Sequence, residues 1–327
     1  MRKNRRKTEY IRLLPVILAI TALIGCTNAE AGLFHSNSDE AWAEEIYEQA
    51  LENSKLPEYK NRDFGISSPK SAAEENEKGF IDYSNADLGY ITAGYNDSAT
   101  NTLKLQIKYG DETCTYTLNR GELEAFPLSR GSGSYQLRLF ENIEGTKYAL
   151  ILSTEITADI KDSLSPFLKP NQYVNYQNAP VTLALADILA RDTADEMEKL
   201  EKTLKFTTGI LSYDKELAQT ATTDYVPELD SVLERRQGIC FDYASLMTAL
   251  LRCMNIPCKL VTGYAGDVFH AWISIWTEEQ GWIDNVIYFD GAGWQRADPT
   301  FADSGASARE ISDYIGNGTN YTEKHYY

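Results

Sequence analysis

The amino-acid sequence predicts an α+β protein: an antiparallel β-sandwich-like domain, then a domain mixing helices with antiparallel strands. Three observations carry this. Between about residues 82 and 160, apolar and polar residues alternate with period two in short runs separated by turn signals, the pattern of strands with one buried face. Further on, apolar residues fall at helical spacing, first at Met197, Leu200, Leu204 and Leu211 and again at Tyr243, Leu246, Met247, Leu250, Leu251 and Met254. Alternation then returns in His270-Ala271-Trp272-Ile273-Ser274-Ile275-Trp276. With 327 residues, 43% of them hydrophobic and 24% charged, the chain has the make-up of about two folded domains.

Residues 1–25 read as a signal peptide. Six Lys/Arg and a single acid, Glu9, lie in the first twelve residues, and the apolar stretch 13–25 that follows falls short of the ~20 residues a membrane-spanning helix needs. Leu23-Ile24-Gly25-Cys26 resembles the lipobox of bacterial lipoproteins, which marks Cys26 for lipidation; cleavage after Ala29-Glu30-Ala31 is the competing reading. Either way the protein is expected to leave the cytoplasm, anchored by lipid on the outer face of the cell membrane or secreted.

Residues 26–80 read as a tether with one helix over 39–54, marked by Trp42, Ile46, Tyr47 and Leu51, followed by a Lys/Glu/Ser/Pro-rich linker over 55–80. The sandwich-like domain is expected over 81–165. Leu103, Leu105, Ile107 and Tyr109 form one strand, Gly110-Asp111 a turn, and Cys114, Tyr116 and Leu118 the returning strand. Tyr135, Leu137 and Leu139, then Tyr148, Leu150 and Leu152, repeat the phase. Cys114 shares the core phase and reads as a buried small residue. Without histidine or clustered carboxylates, this domain reads as a spacer or binding module, with tyrosines able to stack on sugars.

Residues 166–327 form the second expected domain, opening on a connector over 166–180. Thr193 and Glu196 have capping-box spacing before the first helix. Ile239 leads into Cys240, and the helical pattern starts at Phe241 and stops at Asn255-Ile256-Pro257, which puts Cys240 at a helix N-terminus. Unsatisfied amides there stabilise a thiolate and supply oxyanion donors. Of the three histidines, His35 lies in the tether and His325 is the third residue from the end, so His270, leading a strand after a loop over 263–269, is the expected general base. Asp298, at the end of a further strand, is a candidate to orient its imidazole.

Gly238-x-Cys240-x-Asp242-Tyr243-Ala244, Ala249-Leu250-Leu251-Arg252, Ile256-Pro257, Gly263-Tyr264, His270-Ala271-Trp272, and Trp294 with Asp298-Pro299-Thr300 resemble the bacterial transglutaminase-like family in order and spacing, over about residues 190–305. The resemblance implies a papain-like arrangement, a helix bearing Cys240 packed on an antiparallel sheet bearing His270 and Asp298. It implies a thioester at Cys240, resolved by water or by an amine, with His270 moving the proton, Asp298 positioning it, and Tyr213 a candidate second oxyanion donor. Asp242, early in the helix, and Arg252, near its end, have helix-dipole explanations.

The net charge is −17, from 48 acidic against 31 basic residues, and the basic leader makes the remainder more acidic still. Such a chain is a poor nucleic-acid binder. With Cys26 assigned to lipid and Cys240 to chemistry, Cys114, Cys253 and Cys258 allow one disulfide at most, and the pair flanking Ile256-Pro257 reads as two buried thiols. No Cys-x-x-Cys pair exists and the acidic stretch over 284–290 reads as solvated, so no metal and no cofactor is expected. The partners expected are a peptide, protein or cell-wall substrate and, through the lipid, the membrane. The alternative is a non-enzymatic surface scaffold that uses the β-domain and cleft to capture peptide or glycan.

Overall fold

The computed structural model describes residues 10–12, 37–96, 98–265, 268–289, 294–296 and 321–327. The chain divides into two compact units: residues 65–166 with the N-terminal strand, and residues 37–64 with 167–327. Cys26 and Asp298 lie outside the described residues.

The first unit is two antiparallel sheets. One has the order β1 (Tyr10–Arg12), β9 (Lys147–Ala158), β8 (Gly133–Glu144), β5 (Leu103–Tyr109), β6 (Glu112–Thr117); the other runs β2 (Ala73–Glu75), β3 (Gly79–Asp82), β4 (Tyr90–Tyr95), β7 (Ala125–Pro127). The alternating apolar residues decide the register. Leu105 pairs with Tyr116 and with Leu139, and all three are buried. Gly110 turns the β5–β6 hairpin with φ +57°, a conformation that favours glycine. The sheets pack face to face so closely that a Cβ on Gly79 would stand 2.7 Å from the Leu139 side chain. Cys114, expected in the core, is partly exposed. It lines a small cleft with Tyr109, Glu112, Arg130 and Tyr135, and burial pushes its thiol up to about 12.

Strands β2 and β3 overlap the expected linker, held by a carboxylate as well as by the buried Ile81. Asp82, almost wholly buried, accepts from the Lys70 amide and the Ser68 hydroxyl, each at 2.8 Å. A charge-assisted cluster of this kind leaves no periodic trace in sequence.

The second unit begins with α1 (Asn37–Asn53) and α2 (Pro57–Lys60). The expectation of a tether here is corrected: α1 packs against α3 (Pro180–Leu189) and α4 (Glu196–Ile210). Its buried face is Ala43, Tyr47 and Ala50, not Trp42 and Leu51. Small residues allow the helices to approach until a Cβ on Gly209 would stand 3.0 Å from Ala43 Cβ, and alanines give a weak periodic signal. Lys205 pairs with Asp39 at 3.0 Å and sits over the Trp42 ring. Asp195 caps α4, accepting from the Glu198 amide at 2.9 Å, instead of the Thr193–Glu196 pair. Helix α3, which starts at the last residue of the expected connector, is apolar nearly all round, which erases periodicity.

Next come β10 (Ser212–Tyr213), α5 (Lys215–Thr220), α6 (Leu229–Arg235), β11 (Gln237–Gly238) and α7 (Cys240–Cys253). The chain then builds an antiparallel sheet in the order β15 (Trp294–Arg296), β14 (Gly281–Phe289), β13 (Val268–Thr277), β12 (Cys258–Ala265), β16 (Tyr321–Tyr326), against which α7 packs. The expected loop over 263–269 is largely strand, since Gly263 pairs with His270 and Tyr264 with Phe269. Gly263 admits no side chain: a Cβ there would stand 2.1 Å from the Thr322 carbonyl oxygen of β16.

Arg252 does more than complement the dipole of α7. Buried, it donates to the carbonyls of Cys258 (2.9 Å), Lys169 (2.6 Å) and Tyr327, joining the helix end to three distant segments. Arg252→Met should cost about 3–5 kcal/mol, the range for breaking a buried charged network, measured as a lowered urea midpoint at unchanged slope. A loss under ~1 kcal/mol would assign the stability to apolar contacts alone.

Candidate active site

The approach to Cys240 is set by a short strap. Arg236 ends α6 with φ +57°, and Gly238 pairs in parallel with Tyr213, its carbonyl accepting the Asp214 amide at 2.9 Å. Ile239 turns the chain into α7, where Cys240 is the first helical residue. Asp242, completely buried, reaches back to accept the Ile239 amide at 2.8 Å, the half of a capping box that the third helical residue supplies; the other half needs a polar N-cap side chain, which isoleucine lacks.

The backbone amides of Ala271 on β13, of Phe241 and of Cys240 itself bear on the Cys240 sulfur, each favouring its thiolate. On β13, Ala271 stands opposite Thr262 of β12, two residues before Ile273, which pairs with Ile287 of β14. The Ala271 amide brings the helix start and the His270-bearing strand together, because His270 immediately precedes Ala271. The residue Cys240 is half-buried, yet its sulfur is packed deeply enough that desolvation dominates. Burial pushes the thiol up to about 11; the Ala271 amide opposes this and the Asp242 charge reinforces it. A thiol so placed needs a base to be a nucleophile at neutral pH.

His270 is 8% exposed on β13. Tyr213 is close enough to feel the Cys240 charge, and burial, followed by the charges of Cys240, Asp242 and Asp214, raises its phenol above the usual value. Its phenol therefore keeps its proton near neutral pH. Asp298 is two residues beyond β15 and outside the described residues. Tyr243 is buried, as expected of a core-facing position. Cys253 and Cys258 are not bridged: Cys258 contacts Thr248 Oγ1 at 3.6 Å, while Cys253 lies near Arg62 and Asp187. Burial pushes each up to about 12.

Nothing in the sequence singles out Tyr225 and Arg235, which the fold brings to Asp242. The Tyr225 hydroxyl donates to Asp242 Oδ1 at 2.5 Å, and Arg235 lies 4.0 Å from the same oxygen. Tyr225 sits in an irregular segment with no periodic or motif signal.

A cysteine opening a helix that packs on a histidine-bearing antiparallel strand is the arrangement the transglutaminase-like resemblance implies. Residues 184–299 match the transglutaminase-like superfamily, and this part of the chain is a transglutaminase-like domain. A protein-glutamine gamma-glutamyltransferase of Pseudomonas aeruginosa is 34% identical over 68 residues, 16% of this chain and 10% of that protein, so the match spans about a tenth of the relative's length. Among solved structures, a candidate cysteine protease of Cytophaga hutchinsonii aligns over 69% of this chain and 77% of its own at 16% identity, with a TM-score of 0.37. Red sea bream transglutaminase aligns over 78% and 52% at 13% identity, with a TM-score of 0.26. Superpositions this loose carry no weight for function.

Proposed function

We propose that this protein is a cysteine acyltransferase or hydrolase acting on peptide or protein amides, exported and held at the outer membrane face through lipid on Cys26. The observation that carries the chemistry is the Ala271 amide bearing on the Cys240 sulfur, which ties the nucleophile to the strand that carries His270. In this reading His270 takes the thiol proton, the thiolate attacks the amide carbon, and the oxyanion is met by the Cys240 amide and the Tyr213 hydroxyl. The proton passes from His270 to the departing amine as the C–N bond breaks, leaving a thioester. Water or a primary amine, deprotonated by His270, then releases the acyl group, and Asp298 holds the imidazole through both steps. The export reading rests on the basic leader, the short apolar stretch and the lipobox-like residues before Cys26.

The test is incubation with glutamine-containing peptides, with and without a primary amine, following ammonia release, amine incorporation and backbone cleavage. Ammonia with amine incorporation selects the gamma-glutamyl transfer for which the Pseudomonas protein is named; ammonia alone selects deamidation, and new N-termini select proteolysis. No thioester with any acyl donor would sink the proposal.

A further inference from the structure

Cys240 does not hold its own place; the two residues before it do. Gly238 is gripped on one side by β10, through its pairing with Tyr213 and the Asp214 amide on its carbonyl. On the other side Asp242 takes the Ile239 amide and lies so near that a Cβ on residue 238 would stand 2.6 Å from Asp242 Cβ. The strap is therefore shared by the two groups that must meet at the reacting carbon, the sulfur ahead of it and the Tyr213 hydroxyl beside it. Capping the helix needs one oxygen of Asp242. The other receives the Tyr225 hydroxyl at 2.5 Å, from a segment that takes no part in the cap. A carboxylate at 0% exposure is costly unless its oxygens are hydrogen-bonded, and Tyr225 meets the half of that requirement which the Ile239 amide leaves.

We propose that Tyr225 and Asp242 are positioning residues for acyl transfer: Tyr225 fixes the Asp242 carboxylate, which clamps Ile239 and so sets the Cys240 sulfur against the Tyr213 hydroxyl. The role rests on the acyl-transfer reading above. The groups that bear on it are few. Cys240 faces Asp242 and Tyr213, with His270 next to its hydrogen-bonding partner Ala271; Asp242 faces Tyr225, Arg235 and Asp214, with Tyr213 and Tyr243 nearby. The Asp242 charge holds the Cys240 thiol up, and the Tyr225 proton offsets part of that charge.

Two substitutions should therefore move the Cys240 titration in opposite directions. Asp242→Asn removes the charge while keeping an oxygen for the Ile239 amide, so the pH midpoint of Cys240 alkylation by iodoacetamide should fall. Tyr225→Phe keeps the charge and removes its donor, so the midpoint should rise. About half a pH unit each way is expected, the scale of one nearby charge or hydrogen bond. The kcat for amide turnover should drop roughly tenfold in both with KM little changed, as for lost transition-state geometry. A purely structural cap gives neither the opposed shifts nor a kcat loss beyond the unfolded fraction, and Tyr225→Phe tests this even where Asp242→Asn fails to fold. Midpoints that stay put, or move together, in an enzyme with wild-type turnover would overturn this proposal alone. A wild-type protein without turnover would overturn the acyl-transfer reading and this role with it.

Discussion

Cys240→Ala should reduce amide turnover to background, a loss on the order of 10⁴-fold or more, as when a covalent nucleophile is removed. The fold should survive, because the side chain is small and the strap is held by Tyr213, Asp214 and Asp242 rather than by the sulfur. The same variant separates this thiol from the others. Cys114, Cys253 and Cys258 are each pushed up to about 12 by burial, so they are almost wholly protonated near neutral pH. Peptide mapping after treatment with an electrophile at about pH 7 should find the label on the Cys240 peptide in the wild type and absent from it in the variant. Turnover undiminished in Cys240→Ala, with a melting temperature equal to the wild type, would remove the nucleophile from the mechanism.

His270→Ala should change the pH dependence of that labelling more than its maximum rate. With its base, the thiol is paired as thiolate and imidazolium and reacts near neutrality. Without it, no base takes the proton of a thiol that burial pushes up to about 11, and at pH 7 the thiolate fraction is roughly 10⁻⁴ by the tenfold-per-unit rule. The direction follows from the charge. A raised thiol pKa favours the protonated form, so reactivity is lost below it and recovered only as the pH climbs toward it. The alkylation rate of the variant should therefore rise about tenfold per pH unit from 7 to 10, where the wild type is already flat. Superimposable profiles for the two proteins would mean that His270 does not serve Cys240.

Much of the fold and of the site is legible in the sequence, and for identifiable reasons. The β5–β6 hairpin reads directly because a period of two admits one register, with Leu105 facing Tyr116 across the Gly110 turn. Cys240 at a helix start reads from the residues that end α7, since Asn255-Ile256-Pro257 stops the helix at a definable place. What the sequence hides depends on close approach. Helix α1 reads as part of a tether because two of the three residues on its buried face are alanines, whose weak apolar signal does not show that Gly209 lets α4 come near. Arg252 reads as a dipole complement, because its three carbonyl partners come from segments 6, 75 and 83 residues away.

The sequence by itself determined the chemistry on offer: one cysteine opening a helix, one histidine in an alternating strand, and the residues that align this stretch with transglutaminase-like proteins. Both are local properties, set by backbone propensity and side-chain period. Only the tertiary structure decided that the two belong to one site. The link is a backbone amide, that of Ala271, which bears on a sulfur thirty-one residues earlier in the chain. An amide has no side-chain identity for a sequence to display. The same holds for Tyr225 and Asp242, whose hydrogen bond exists because a buried charge requires a second donor and the fold supplies the nearest hydroxyl.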